Sequence, residues 1–222
     1  EIKSSGLRFH VPDINKASVR FESQGKDIFL PLSSISGIQR NLLNALLDER
    51  SENGEFKDYF SFVSRMYRRG LNEAALLKFI DAGCFDSLCP NRSSLRLSSK
   101  PAFKYAEIAS SFLDQPSLFP FTLEEPKLTE IEDDRMYDLL CERDALGMMV
   151  SGSPLESKKG YIEENRLLRL SALADGPYSA ECAGVVGSVK TILTKKGARM
   201  AFLRLYDDEA EAEFTLFSEA YD

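Results

Sequence analysis

The chain has 222 residues, 43% hydrophobic and 28% charged, the ordinary balance of a globular protein with room for one large domain or two smaller ones. A formal net charge of −7 excludes a protein that coats nucleic acid by bulk charge, because phosphate affinity is mainly cationic in origin, but leaves local binding open. No apolar run approaches the ~18 residues of a membrane span, and the opening EIKSSGLRFH has neither a signal-peptide core nor a starting Met, which suggests a piece of something longer.

From Glu1 to Leu30 the chain reads as ordered loop around Pro12-Asp13-Ile14-Asn15, with a short strand at Ile28 to Leu30 closed by Pro31. Ile38, Leu42, Leu43, Leu46 and Leu47 then fall on one stripe of a helix, and Gly37 sits where a turn meets its N-terminus. Such a turn either simply starts the helix or exposes unpaired backbone N–H groups of Ser36, Gly37, Ile38, Gln39 and Arg40 to a phosphate. The order apolar-x-Gly-apolar-x before a helix resembles one half of a helix-hairpin-helix pair. Ser51 to Gly54 breaks the helix, and Tyr59, Phe62, Val63 and Met66 give the next one its periodicity. Arg65, Arg68 and Arg69 end it, as cations suited to a negative helix end or to DNA. Asn72 is an N-cap for the helix of Leu76, Leu77, Phe79 and Ile80, and Gly83 is its C′ residue, with a second hairpin at Ile80-Asp81-Ala82-Gly83.

Pro101 reads as the start of a helix with Tyr105, Ile108, Ala109 and Phe112 on one face. Pro116, Pro120 and Pro126 keep the next stretch extended, the best linker in the chain, with Leu118, Phe119 and Phe121 docked on a neighbour. Thr129-x-x-Glu132 reads as a capping box for a helix ending at Gly147. Glu124 to Asp144 holds 9 acids against 3 bases, while Leu32 to Ser98 holds 9 bases against 8 acids, so DNA contact is expected to avoid the acidic segment. Its acids read as a solvated helix face. Leu167, Leu168 and Leu170 form a short apolar element, and Asp175-Gly176-Pro177 precedes a β-rich region.

That region, Val185 to Phe217, reads as a three-strand meander around the turns Thr194-Lys195-Lys196-Gly197 and Asp207-Asp208-Glu209. Alternation sends Ala201, Leu203 and Leu205 to one face of the middle strand and Met200, Phe202, Arg204 and Tyr206 to the other. Two aromatics beside a cation, with Lys195, Lys196 and Arg199 in or next to the loop, suit stacked bases and a phosphate chain. Equally, Phe202 and Tyr206 suit packing beneath another element. Cys84, Cys89, Cys141 and Cys182 make no CxxC pair and His10 is the single histidine, so no zinc site is expected; buried small thiols and a cytoplasmic setting are.

Several stretches carry a resemblance to bacterial replicative DNA polymerases of the DNA polymerase III α-subunit type. They are PDIN-x2-S-x2-F near the start, ERSENGEFKDYFSFVSR, LLKFIDAGCFDSL, the connection LG-x3-SG-x-P from Leu146 to Pro154, and TKKG followed by MAFLRLYD and EFTLF. Two positions depart from the family pattern: Gln39 stands where it usually has a second glycine, and Ser153 where it usually has a histidine. The resemblance implies an α+β chain, with a helical tandem helix-hairpin-helix region followed by a truncated OB-fold β-barrel. It divides the chain into 1–31, the end of a fingers domain; 32–98, the hairpins; 99–177, a helical and extended connector; and 178–222, the start of the OB domain.

The resemblance further implies that Ser36, Gly37, Ile38, Gln39, Arg40, Ala82 and Gly83 grip duplex DNA. Single-stranded template would lie on Lys195, Lys196, Arg199, Phe202, Arg204 and Tyr206. The complete enzyme would be a nucleotidyltransferase using two magnesium ions on acids of a palm domain outside this stretch, so no catalytic or metal-binding residue and no cofactor is expected here. Expected partners are primer–template DNA and replisome subunits such as a sliding clamp or clamp loader, with no membrane. The alternatives are a stand-alone hairpin and OB protein of repair or recombination, and a protein-interaction module, to which net acidity, Gln39, Glu211 and Glu213 are suited.

Overall fold

Three short strands begin a first unit that runs to Ser151; a second begins at Gly152. The computed structural model describes residues 6–114, 123–173, 179–195, 197–208 and 210–221. Strand β1 (Arg8–His10) lies parallel to β3 (Asp27–Phe29), and β2 (Glu22–Gln24) antiparallel to it. β3 is the strand expected before Pro31. The intervening loop is set by Asp13, whose carboxylate accepts the amides of Asn15 at 2.8 Å and Lys16 at 3.1 Å, an Asx turn. Asn15 then fastens the loop to Phe56, donating to its carbonyl at 2.9 Å and accepting its amide at 2.8 Å.

Helices α1 (Arg40–Asn53), α2 (Tyr59–Tyr67), α3 (Glu73–Asp81), α4 (Arg92–Leu97), α5 (Ser99–Asp114) and α6 (Arg135–Leu146) enclose the core of this unit. Asp58 caps α2 and Asn72 caps α3, each accepting an amide of the first turn, at 2.8 and 2.9 Å. Phe62 is fully buried and meets Phe56, Phe79 and Phe85 edge to face at centroid distances of 4.9, 5.8 and 5.0 Å, the arrangement the ring quadrupole favours. Helical spacing therefore does its work in α1 to α3, where Leu42, Leu43, Leu46, Leu76 and Ile80 are buried as the sequence predicts.

Two expectations in this unit are corrected. In α5 the buried residues are Ala102 and Ala106, while Phe112 is exposed. Those small side chains let α5 lie close to its neighbour, and Tyr67 of α2 meets Phe103 at 6.2 Å. The capping box at Thr129 and Glu132 does not form. α6 starts at Arg135 with Asp134 as its cap, accepting the Tyr137 amide at 3.0 Å, because residues before it donate their amides to α4 and its flank: Thr129 to Ser98, Ile131 to Ser94 and Asp134 to Ser93, at 3.0 to 3.2 Å. Its end was read correctly, with Gly147 at φ +79°. The linker aromatics Leu118, Phe119 and Phe121 lie outside the described residues, as does Asp175-Gly176-Pro177.

In the second unit a short helix, α7 (Lys159–Glu164), precedes an antiparallel meander of β4 (Val185–Leu193), β5 (Arg199–Tyr206) and β6 (Glu211–Leu216), followed by a single turn, α8 (Ser218–Tyr221). Register pairs Phe202 with Lys190 and Thr215, and Leu203 with Val189 and Phe214, so the two faces alternate as expected. Asp207 holds the second turn closed by accepting the Leu170 and Ala210 amides, both at 2.8 Å. Cys84 is buried; Cys89, Cys141 and Cys182 are half-buried, and all four are free thiols. Among the described residues no helix is long and apolar enough to cross a membrane.

Candidate nucleic-acid interface

The turn before α1 is open. Gly37 has φ +81° and nothing within 4 Å of where a Cβ would stand. Gln39 is the N-cap residue by backbone geometry, but its side chain makes no capping bond. Its carbonyl accepts the amides of Leu42 at 3.0 Å and Leu43 at 3.3 Å, while the Gly37, Ile38, Gln39 and Arg40 amides donate to no described residue. Ser36, Gly37, Gln39 and Arg40 are exposed and Ile38 is half-buried against the core. Ser36 differs from the expectation in one respect: its amide donates to the Ala145 carbonyl at 2.8 Å. That bond anchors one side of the turn. Four amides at the positive end of a 14-residue helix, with the Arg40 side chain beside them, form a concave donor set for an anion.

The second candidate hairpin has another geometry. Gly83 is left-handed too, at φ +76°, but it is buried, and a Cβ there would stand 2.3 Å from Nη2 of Arg92. Ala82 donates its amide to Lys78, Gly83 to Ile80 and Cys84 to Phe79, at 2.9 to 3.0 Å. The amides that the sequence reading aims at a phosphate are thus taken within the chain. Gly83 is here a C′ residue and a packing residue.

Arg92, only 1% exposed, backs this hairpin. It makes a two-point contact with Asp86 at 2.8 and 2.5 Å, and its Nη1 donates to Glu142 of α6 at 2.8 Å. Glu142 also accepts the amides of Val150 and Ser151 at 2.5 and 2.7 Å and the Ser151 hydroxyl at 2.6 Å. Beside it, Arg96 bridges Asp81 at 2.8 Å and Asp138 at 2.6 Å. Burial, opposed by the Arg96 pair, holds the Asp138 carboxyl above its ordinary range. The reading of the α6 acids as a solvated face is therefore corrected for Asp138 and Glu142, both fully buried. Likewise Arg65 and Arg69 bond to Glu49 at the end of α1, at 2.9 and 3.0 Å, and Arg69 also bonds to Glu52. They latch α2 to α1 and are not displayed for a ligand.

On the sheet, Phe202 is half-buried, and with Ser188, Lys190, Arg204 and Glu213 it lines a shallow depression of about 310 Å³. Arg204 is half exposed but faces Glu211 at 3.0 Å and Glu213 at 3.8 Å, which offset its charge. Tyr206 departs from the stacking expectation: it is 1% exposed, its ring lying over Gly187, where a Cβ would be 2.9 Å from the ring. Arg199 is exposed but pairs with Leu193, and alternation puts it on the face of Ala201 and Leu203, away from Phe202. Lys195 is exposed in the turn, and Lys196 lies outside the described residues. Lys190 was missed; counting back from the turn places it opposite Phe202.

Comparison with known proteins agrees with the resemblance. The helix-hairpin-helix motif family matches residues 6–95. DNA polymerase III subunit alpha of Bacillus subtilis is 30% identical across all of this chain and 20% of its own length. The Deinococcus radiodurans subunit is 32% identical over 95% of this chain and 17% of its own length, and that of Vibrio cholerae 29% identical over the whole chain and 20% of its own. The chain spans about one fifth of the length of the curated relatives it matches. The α+β reading, helical hairpin region first and small antiparallel sheet after, is borne out with it.

Proposed function

With the whole chain matching a single stretch of DNA polymerase III subunit alpha, we propose that it is a DNA-holding segment of a replicative DNA polymerase, and that nucleotidyl transfer takes place on residues outside it. The observation that carries this reading is the open turn at Gly37, with four unbonded amides at a helix N-terminus inside a segment matched by the helix-hairpin-helix motif. Backbone amides bind phosphates without reading bases, so the contact is to the duplex backbone and carries little sequence preference. An acidic chain holds DNA in this way because the donors are local and dipolar, while its carboxylates are turned onto arginines. The first hairpin makes the contact; the second, with its own amides occupied, supports it.

On the sheet, single-stranded template would rest on Phe202 and Lys190 with Lys195 at the loop. Phe202 supplies a ring face and the two lysines supply charge, a weaker platform than two rings and three cations would give. The compensation of Arg204 by Glu211 and Glu213 favours a second reading for this unit alone, a surface for another replisome subunit such as a sliding clamp or clamp loader. Magnesium would belong to the complete polymerase. In support of that, the buried acids Glu49, Asp138 and Glu142 each face an arginine and leave no carboxylate pair for a cation.

The test measures binding of fluorescent duplex and single-stranded oligonucleotides across salt. Gly37→Ala is expected to weaken duplex binding more than single-strand binding, and Lys190→Ala with Lys195→Ala to weaken single-strand binding and flatten its salt slope by about 2. Equal loss of both ligands in Gly37→Ala, with the fold intact, would remove the turn from the account.

A further inference from the structure

A cavity of about 680 Å³ lies in the first unit, away from the Gly37 turn, and nothing above gives it a role. The rings of Phe9, His10 and Phe29 form part of its wall, His10 stacked on Phe29 at 4.8 Å with its Nε2 held 2.7 Å from Asp27. The cavity is preformed. The Ile14 amide bonds to the Cys84 carbonyl at 2.9 Å, Leu30 to His10 at 3.1 Å and Leu32 to Ser18 at 2.9 Å, so the loop, the sheet and the second hairpin are fixed to one another around it. Glu142 fixes the strap of Val150 and Ser151 on the remaining side.

The charges on its wall are unequally matched. Asp86 is paired with Arg92, and Asp13 and Glu22 both act on the Arg50 guanidinium, which is anchored to the Ile14 and Ala17 carbonyls at 3.1 and 2.9 Å. Lys16 and Arg20 line the same cavity, exposed, with no ion pair among the described residues. The unmatched charge is therefore positive, beside an aromatic wall and the Ser87 hydroxyl, in a space large enough for a ring and a sugar.

We propose that this cavity binds a nucleoside monophosphate group, its phosphate on Lys16 and Arg20 and its ring against the Phe9 and Phe29 wall. The group is either a free nucleotide or the 5′-phosphorylated end of a strand. The proposal does not depend on the Gly37 turn, and its variants leave that turn untouched.

The test is a calorimetric or NMR titration of the 222-residue chain with deoxyadenosine 5′-monophosphate, with deoxyadenosine and inorganic phosphate as parallel probes. The nucleotide is expected to bind with Kd of about 1 mM or below, at least about tenfold tighter than either probe. Lys16→Ala with Arg20→Ala is expected to weaken it about tenfold or more, and Ser87→Trp, at an exposed position on the wall, to exclude it. Competition by a 5′-phosphorylated oligonucleotide, absent for the same strand with a 5′-hydroxyl, assigns the strand end; no competition assigns the free nucleotide. Absence of binding, phosphate binding as well as the nucleotide, or affinity unchanged in the double variant would each overturn the proposal.

Discussion

Gly37 and Gly83 occupy equivalent places in two hairpins, share a left-handed backbone at φ +81° and +76°, and yet do opposite things. Open space surrounds the first and amides without partners follow it; the second is buried, its amide bonded to Ile80 and the Arg92 guanidinium seated where a side chain would go. A positive φ in a glycine is a statement about the chain's path and nothing more. What decides whether a hairpin can hold a ligand is where its N–H groups are directed and whether something inside the protein has already accepted them.

If the second hairpin is structural, the largest effect should come from its support. Arg92→Met leaves Glu142 buried without its cation and is expected to destabilise the first unit by about 3 to 5 kcal/mol in urea unfolding. Glu142→Gln in the same chain should restore part of that loss. Gly83→Ala combines left-handed strain with displacement of a fixed guanidinium, expected to cost about 3 kcal/mol. Gly37→Ala meets the strain alone, about 1 kcal/mol. Equal costs at the two glycines would break the comparison.

Smaller changes sharpen it. Gln39→Asp supplies the missing cap at α1, so a stabilisation of about 0.5 to 1 kcal/mol is expected together with weaker duplex binding, since the carboxylate would occupy the amides and repel phosphate. Stabilisation with unchanged binding would count against the amides as the binding group. The smallest effect concerns Glu49. Burial works to raise its pKa, but bonds from Arg65 and Asn53 and the charges of Arg65 and Arg69 outweigh it, and the carboxyl is held below its ordinary 4.5. Its contribution is therefore complete above pH 4.5 and fades as pH falls through the lowered value. Glu49→Gln should shrink the loss of stability below that pH.

The elements legible in the sequence were those whose causes are local. Asn72, Gly147 and the turns of the meander act within a few residues of themselves, and the apolar stripes of α1 to α3 repeat at helical spacing. What stayed hidden depends on distant partners. Asp138 and Glu142 look like surface acids until Arg96 and Arg92, 42 and 50 residues earlier, are brought to them. Thr129 and Glu132 have capping-box spacing, yet serines of α4 and its flank take the amides of that stretch. Tyr206 alternates correctly with Phe202, but Gly187 on the neighbouring strand leaves a place for its ring, which turns a platform residue into a core residue. At the candidate interface Gly37 and its neighbours were legible; which amides were free was not, because that depends on a bond from Ser36 to Ala145.

A ¹H–¹⁵N titration with short duplex DNA at two salt concentrations tests the central claim most directly. The account predicts that the amides of Gly37, Ile38, Gln39 and Arg40 shift most, that the shifts shrink at the higher salt, and that Gly83 and Cys84 stay in place. Shifts centred on the second hairpin, or none in the Gly37 turn while the duplex binds elsewhere, would contradict it.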